Sequence, residues 1–373
     1  MTASPSFSQI SSSFQSYQDK VIKLLYEEFT GNYDIVEYFK KALLYNTENG
    51  KKIRGSLVVL SYSLYHDLED KNSLKDEAFL IGWAIEILQA SFLVLDDIID
   101  DSKIRRGKPS WFVHQKSQGF GLLGVNDGMH LFICATKLIY KIFEDKMNIY
   151  GDICNDLVKL FTDVSYKTCL GQGLDGISAL LNSPHDAPSP DKLFGKMNLE
   201  TNRNIMLYKT SYYSFYLPIA SALLLAGVKD ANVFKSAEEI SIKLGIYFQT
   251  QDDYLDAFGD EKCLGKEGTD IKEGKCTWLI CKALSLADNE QKEILAENYG
   301  KDNKESVNQV KEIYQELKLS EQYAIFESDI REELFQLIKK HCDHKKNSHK
   351  DHPNHLFSEI FLKPMEILFK RSK

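Results

Sequence analysis

Leu95-Asp96-Asp97-Ile98-Ile99-Asp100-Asp101 has a near twin at Gln251-Asp252-Asp253-Tyr254-Leu255-Asp256, and both carry the pattern Asp-Asp-x-x-Asp. On a helix, positions i and i+4 share a face and i+1 lies close beside them. Asp96, Asp97 and Asp100 would therefore point one way, as would Asp252, Asp253 and Asp256. Apolar runs precede both clusters, Phe92-Leu93-Val94-Leu95 and Leu244-Gly245-Ile246-Tyr247-Phe248, so part of each helix is expected to be buried. Carboxylates crowded there repel with little screening. A cation between the two clusters would relieve the repulsion. Mg²⁺ fits, because it binds through one or two carboxylates and completes its shell with waters and phosphate oxygens. One such cluster reads most simply as a solvated acidic face. Two copies, each flanked by basic residues, read as a metal site.

The 373 residues are 43% hydrophobic and 27% charged, the balance of a soluble globular protein with a large core. A net charge of −8 with no long basic block argues against a nucleic-acid partner. An acidic protein that handles an anion must gather positive charge locally or recruit metal. The seven cysteines (Cys134, Cys154, Cys169, Cys263, Cys276, Cys281, Cys342) form no Cys-x-x-Cys pair and read as reduced thiols of a cytosol-like compartment. The Ser-rich Met1 to Gln18 lacks acidic residues, Arg and an apolar core, so it is no secretory signal. The expected location is cytoplasmic, with organelle targeting left open and residues 1–20 flexible. Ala78 to Leu95 is interrupted by Glu86 and Gln89, and Leu217 to Val228 is short and contains Pro218. Neither reads as a membrane span; both read as buried helices.

Apolar residues recur at three- and four-residue spacing, as at Leu279, Ala283 and Leu286, then Val310, Ile313, Tyr314 and Leu317. No alternating strand pattern or long-period repeat is evident. The expected fold is all-α, a single domain over 1–373 of ten to twelve helices, with a kink at Pro218. Pro184, Pro188 and Pro190 mark a loop from Ser183 to Asp191. A polar loop is expected over 340–356. Its His341-Cys342-Asp343-His344, continuing to His349, His352 and His355, lacks a fixed ligand spacing and reads as a solvated loop rather than a metal tract.

Lys51 and Arg54 stand one helical turn apart and can reach one anion. Lys103-Ile104-Arg105-Arg106-Gly107-Lys108 follows the first cluster, and paired guanidinium forks suit a diphosphate. Lys209-Thr210 lies mid-chain, and Gly265-Lys266 and Gly274-Lys275 follow the second cluster. Together they provide the local positive charge that the acidic balance requires. No Walker-type loop occurs.

From Gln89 to Gly107, Lys209 to Pro218 and Phe248 to Trp278, the chain resembles the trans-isoprenyl diphosphate synthase family, the farnesyl and geranylgeranyl diphosphate synthases. The likeness runs from about Tyr45 to Trp278, and weakly to Lys370-Arg371. It implies an isoprenoid synthase fold around a central cavity, usually a homodimer. It implies three Mg²⁺ ions, with Mn²⁺ able to substitute, held by Asp96, Asp97, Asp100, Asp252, Asp253 and Asp256. Arg105, Lys209, Lys266 and Lys275 would hold the allylic prenyl diphosphate. Lys51, Arg54, Gln89 and Arg106 would hold isopentenyl diphosphate. Thr210 and Gln249 would line the reacting carbons, and Gln172 and Asp175 match the element Gly-Gln-x-x-Asp beside the metal. The reaction implied is ionisation of the allylic C–O bond, attack by the isopentenyl double bond, and loss of a proton to the departing diphosphate.

Four departures bear on this expectation. Ser91 stands five residues before Asp96, where farnesyl-making members usually carry an aromatic; Phe92 is retained. Ser91 lies about 7.5 Å along the helix from the cluster. An open floor there predicts products of C20 or longer. Ile53 stands where the family usually has Asn, Asn49 where it has Gly, and Leu95 where it has Ala. Ile53 takes a polar group from the expected isopentenyl diphosphate pocket and keeps an alternative open: a terpene synthase that ionises a prenyl diphosphate and couples nothing. A non-catalytic helical subunit would show eroded aspartate clusters, and both are intact.

Overall fold

The computed structural model describes residues 7–29, 31, 33–48, 50–66, 70, 73–180, 194–259, 268–343 and 354–369. Lys266 with Gly265, Asn49, the prolines of 183–191, the 344–353 part of the polar loop and Lys370-Arg371 lie outside the described residues. The helices in chain order are α1 (Phe7–Ser13), α2 (Gln18–Tyr26), α3 (Tyr33–Thr47), α4 (Ile53–Ser63) and α5 (Lys75–Ile99), then a hairpin of β1 (Ile104–Arg105) and β2 (Lys108–Pro109). There follow α6 (Trp111–Ser117), α7 (Leu123–Phe143), α8 (Met147–Leu180), α9 (Leu199–Ile205), a π-helical stretch Met206–Tyr216, and α10 (Leu217–Leu225). The last are α11 (Ala231–Phe258), α12 (Trp278–Leu286), α13 (Asn289–Asn298), α14 (Lys304–Glu316), α15 (Leu319–Asp343) and α16 (Asn354–Phe369). The fold is all-α; the hairpin is the one sheet among the described residues. Residues 340–343 belong to α15 and 354–356 to α16, so the expected polar loop is shorter at both ends.

The chain forms two compact units, Met1–Ser165 with Tyr213–Glu239 and Cys342–Pro364, and Tyr166–Tyr212 with Ile240–His341 and Met365–Lys373. In the first, α5 is the central element. Asp76 and Glu77 open it at the positive end of its dipole, and Ala78 to Ser91 are buried all round. By length and composition α5 could cross a membrane, but it is enclosed by its own unit, against α4, α7 and α10. Gly55 of α4 and Gly82 of α5 meet so closely that a Cβ on either would lie 2.8 Å from the other's carbonyl oxygen. Phe14 fills the notch beside them at 1% exposure, and its carbonyl accepts from Trp83 Nε1 at 3.0 Å. The expectation of a flexible lead over 1–20 is therefore corrected for residues 7–20. They are helical, and Ile10 and Phe14 bury apolar surface where the segment packs on α4 and α5.

In the second unit, Trp278, Ile280, Leu295, Val310, Tyr314 and Tyr323 form the core. The π-helical stretch is flanked by two glycines. A Cβ on Gly171 of α8 would lie 2.1 Å from the Lys209 nitrogen, and one on Gly245 of α11 2.3 Å from Ser211 Oγ. Pro218 falls in the first turn of α10, just past the end of the π stretch, where its missing N–H breaks no regular helical bond.

Candidate active site

Both aspartate clusters occupy the last turns of long helices, Asp96 to Asp100 on α5 and Asp252 to Asp256 on α11. A helix C-terminus carries partial negative charge, so carboxylates there are doubly disfavoured and a cation doubly favoured. In the first unit, Asp97 is buried and accepts from Arg105 Nε at 3.0 Å and from Arg105 Nη2. Arg105 Nη2 also lies 3.8 Å from Asp96 Oδ2. Burial pushes the Asp97 carboxyl above the usual range; Arg105 opposes this, and Asp96 and Asp100 add to it.

The hairpin explains how two neighbouring arginines serve different ends. Arg106 and Gly107 both have positive φ, 54° and 74°, as a two-residue type I′ turn demands. Arg105, on the strand, faces Asp97. Arg106, at the tip, donates to the carbonyls of Asn46 and Glu48 at 3.2 Å, and Lys108 Nζ donates to Tyr45 O at 2.6 Å. Lys52, itself left-handed at φ 48°, donates to Thr47 O. Three cations thus cap the carbonyl end of α3. Burial lowers the Arg106 pKa, Glu86 opposes this, and Arg54 and Arg105 add to it. The basic residues therefore share one neighbourhood around the buried Glu86, whose Oε1 accepts from Gly55 N at 2.9 Å.

Arg54 is aimed by Ser214, whose Oγ accepts from Nη2 at 2.8 Å and Nε at 3.1 Å, and by the Tyr213 hydroxyl, which accepts at 3.0 Å. Lys51 is exposed beside it, and Gln89 is buried on the Asp96 face of α5. Sequence reasoning missed Lys52, Tyr213 and Ser214, and noted Glu86 only as an interruption. A lone acid inside an apolar helix was the available signal, since a buried charge requires a partner.

In the second unit, Asp253 Oδ1 accepts from Gln249 Nε2 at 2.9 Å and Oδ2 from Trp278 N at 2.8 Å. Gln249 Oε1 in turn accepts from Thr210 Oγ1 at 2.7 Å. Burial raises the Asp253 pKa, and Asp252 and Asp256 add to it. Asp256 accepts from the backbone amides of Thr269 at 3.3 Å and Asp270 at 3.1 Å. Both oxygens of Asp253 are thus engaged inside the unit, on Gln249 and on the start of α12. Asp175 Oδ2 accepts from Lys209 Nζ at 2.7 Å and Lys275 Nζ at 3.4 Å, so one buried carboxylate gathers two ammonium groups. Gln172 lies one turn before it on α8.

Among the described residues, no three His, Cys, Asp or Glu side chains converge to cage a metal. An ion here must be completed by water and substrate oxygens. That is the habit of Mg²⁺, and the donor set is all oxygen, so the residues fit it.

The chain matches the polyprenyl synthetase family over residues 36–317. It is 44% identical over 317 residues to the farnesyl pyrophosphate synthase of Panax ginseng, spanning 84% of this chain and 86% of that one. It is 40% identical over 307 residues to that of Schizosaccharomyces pombe, spanning 82% and 83%. Its fold matches a Trypanosoma brucei ("T. Brucei") farnesyl diphosphate synthase solved with the bisphosphonate BPH-722, with a TM-score of 0.83 and 30% identity over 99% of this chain and 100% of that one. These relatives are named as farnesyl synthases, and none of them is named as a terpene synthase.

Ser91 is fully buried and its hydroxyl donates to Gly128 O of α7 at 2.8 Å. Leu95 lies over the same glycine, where a Cβ would meet its side chain at 2.7 Å. At 3.6 residues per turn, Ser91 points about 140° away from Asp96, whereas Phe92 lies about 40° away.

Proposed function

We propose that this chain, which belongs to the polyprenyl synthetase family, is a farnesyl diphosphate synthase that makes C15 from allylic C5 and C10 primers and isopentenyl diphosphate. It is a transferase, a polyprenyl diphosphate synthase. The observation that carries the finer reading is the acidic end of α5 with Arg105 fixed beside it, in a chain 44% identical to a farnesyl pyrophosphate synthase.

In this reading Asp96, Asp100 and Asp252 are metal ligands, and Asp97, Asp253 and Asp256 hold the helix ends that present them. These ligand carboxylates would hold Mg²⁺, three ions per site with Mn²⁺ able to substitute, and the metal when bound would supply neutralisation of the charge on the leaving diphosphate. Arg105, Lys209, Lys275 and Lys266 bind the allylic diphosphate, and Asp175 keeps Lys209 and Lys275 from drifting with solvent. Lys51, Arg54, Gln89 and Arg106 bind isopentenyl diphosphate. The allylic C–O bond breaks, and the isopentenyl double bond attacks the resulting carbocation. A proton is then lost to the diphosphate that has left. Thr210 and Gln249 lie beside the reacting carbons, fixed to each other and to Asp253. The enzyme works as a homodimer. The outer face of α7 supports this, with Val125, Met129, Ile133 and Tyr140 exposed. Cys134, Cys154, Cys169, Cys276 and Cys281 are unpaired, which supports a reducing, cytoplasmic setting.

The test is mass spectrometry of products from dimethylallyl, geranyl and farnesyl primers, each with labelled isopentenyl diphosphate and Mg²⁺. C15 diphosphate from the first two primers is expected. A dominant C20 product, or hydrocarbons formed without incorporated label, would refute the proposal.

A further inference from the structure

Away from the acidic clusters, three atoms able to ligate a transition metal meet in the first unit. His130 Nε2 lies 3.2 Å from Cys134 Sγ and 3.0 Å from the Tyr26 hydroxyl, and that hydroxyl lies 3.9 Å from the sulfur. We infer that Tyr26, His130 and Cys134 bind one Zn²⁺ ion, which ties the end of α2 to α7. The site is separate from the oxygen donors that Mg²⁺ fits, and it does not rest on the proposed function. Its third donor is a phenol, so no trio of His, Cys, Asp and Glu marks the place.

The placement follows from helix geometry. His130 and Cys134 are four residues apart on α7 and share a face. α2 packs against α7 and ends at Tyr26. Phe39 of α3 stacks on the imidazole, with ring centroids 3.9 Å apart and planes at 25°, and fixes its orientation. Hydrogen bonds alone leave the cluster incomplete. Nε2 carries either one proton or one lone pair, so it makes a full bond to the hydroxyl or to the thiol, not to both. The hydroxyl and the thiol are too far apart for a strong bond between them. A cation takes lone pairs from all three at once. The circle through the three atoms has a radius of about 2.0 Å, and Zn²⁺ bonds run from about 2.0 Å to nitrogen and oxygen to about 2.3 Å to sulfur. Imidazole with thiolate also selects zinc over the hard ions that carboxylates hold. Tyr26 and Cys134 are buried and His130 is half-buried, which leaves the fourth position of a tetrahedral ion to water. Burial lowers the His130 pKa and keeps the imidazole neutral, as a ligand must be. Burial also pushes the Cys134 thiol up to about 11, with Tyr26 opposing it. A bound ion reverses this, and the thiol proton leaves to solvent as the Zn–S bond forms.

The experiment titrates chelator-stripped protein with Zn²⁺ in a large excess of Mg²⁺, which competes for the carboxylates. The titration is repeated with Co²⁺, whose bond to a thiolate shows as a charge-transfer absorption. The chains compared are the wild type, Tyr26→Phe, His130→Leu, Cys134→Ser and, as a control for the exposed thiol, Cys169→Ala. The wild type and Cys169→Ala are expected to bind one Zn²⁺ per chain, to show the cobalt–thiolate band, and to melt at a higher temperature with Zn²⁺ than without. His130→Leu and Cys134→Ser are expected to lose all three responses, and Tyr26→Phe to bind at least tenfold more weakly. The inference is overturned if the wild type shows no cobalt–thiolate band, if the band and the Zn²⁺ affinity survive in Cys134→Ser or His130→Leu, or if Tyr26→Phe binds as tightly as the wild type. Zn²⁺ binding lost in Asp96→Ala and kept in Cys134→Ser would place the ion at the acidic cluster and overturn it too. Helical circular dichroism retained in each variant separates a lost ligand from a damaged fold. His130→Leu, which keeps an apolar side chain against Phe39, carries the test if the serine variant misfolds.

Discussion

Two adjacent aspartates can look equivalent in sequence and have different surroundings. Asp96 and Asp252 open their clusters; Asp97 and Asp253 turn inward and are consumed by Arg105, Gln249 and the Trp278 amide. Asp96→Ala or Asp252→Ala is expected to lower turnover by about a hundredfold or more, with helical circular dichroism unchanged. Near-normal rates in both would remove them from the metal site. Lys52 gives a test on stability instead. Burial pulls its pKa down to about 8; Arg106 adds to this, and Glu86 and Glu48 oppose it. The unfolded chain keeps that proton up to the ordinary value of 10.5, so between these limits the unfolded state binds more protons. Stability from this group therefore rises with pH through that window. The difference in urea midpoint between wild type and Lys52→Met should grow from pH 8 to 10.5. A difference that stays flat would show that Lys52 titrates normally.

At the scale of elements, close approach decides what each helix can carry. Gly171 and Gly245 let α8 and α11 press directly on the stretch that presents Lys209 and Thr210. A methyl on Gly171 would meet backbone, which no rotamer change can relieve. Gly171→Ala should cost about 3 kcal/mol or more in chemical denaturation and depress activity with it. Gly173, two residues on, has nothing within 4 Å of a built Cβ. Gly173→Ala should instead gain up to about 1 kcal/mol, the ordinary helix preference for alanine. If both variants lost stability equally, the contact at Gly171 would not be the cause. The hairpin belongs to this scale too. Arg106-Gly107 is legible as a turn only when two positive φ values are expected of it.

For the whole molecule, the proposed function makes metal the controlling reagent. Chelation of Mg²⁺ should abolish condensation, and Mg²⁺ or Mn²⁺ added back should restore it; activity that survives exhaustive chelation would dismiss the metal. The exposed apolar face of α7 should cover itself with a second copy. Met129→Glu combined with Ile133→Glu is expected to halve the mass seen by light scattering, whereas a wild type that is already one chain would contradict this.

The residues by themselves determined the helical class, the family, the two acidic clusters and the cations that serve them, because periodicity and charge spacing survive in any local reading. Only the tertiary structure decided which aspartates face inward, that Phe14 belongs to the core, and that Ser91 is spent on a carbonyl of α7. Those outcomes depend on which neighbour covers each face of a helix, and that neighbour belongs to another element, 25 positions away for Asp253 and 37 for Ser91.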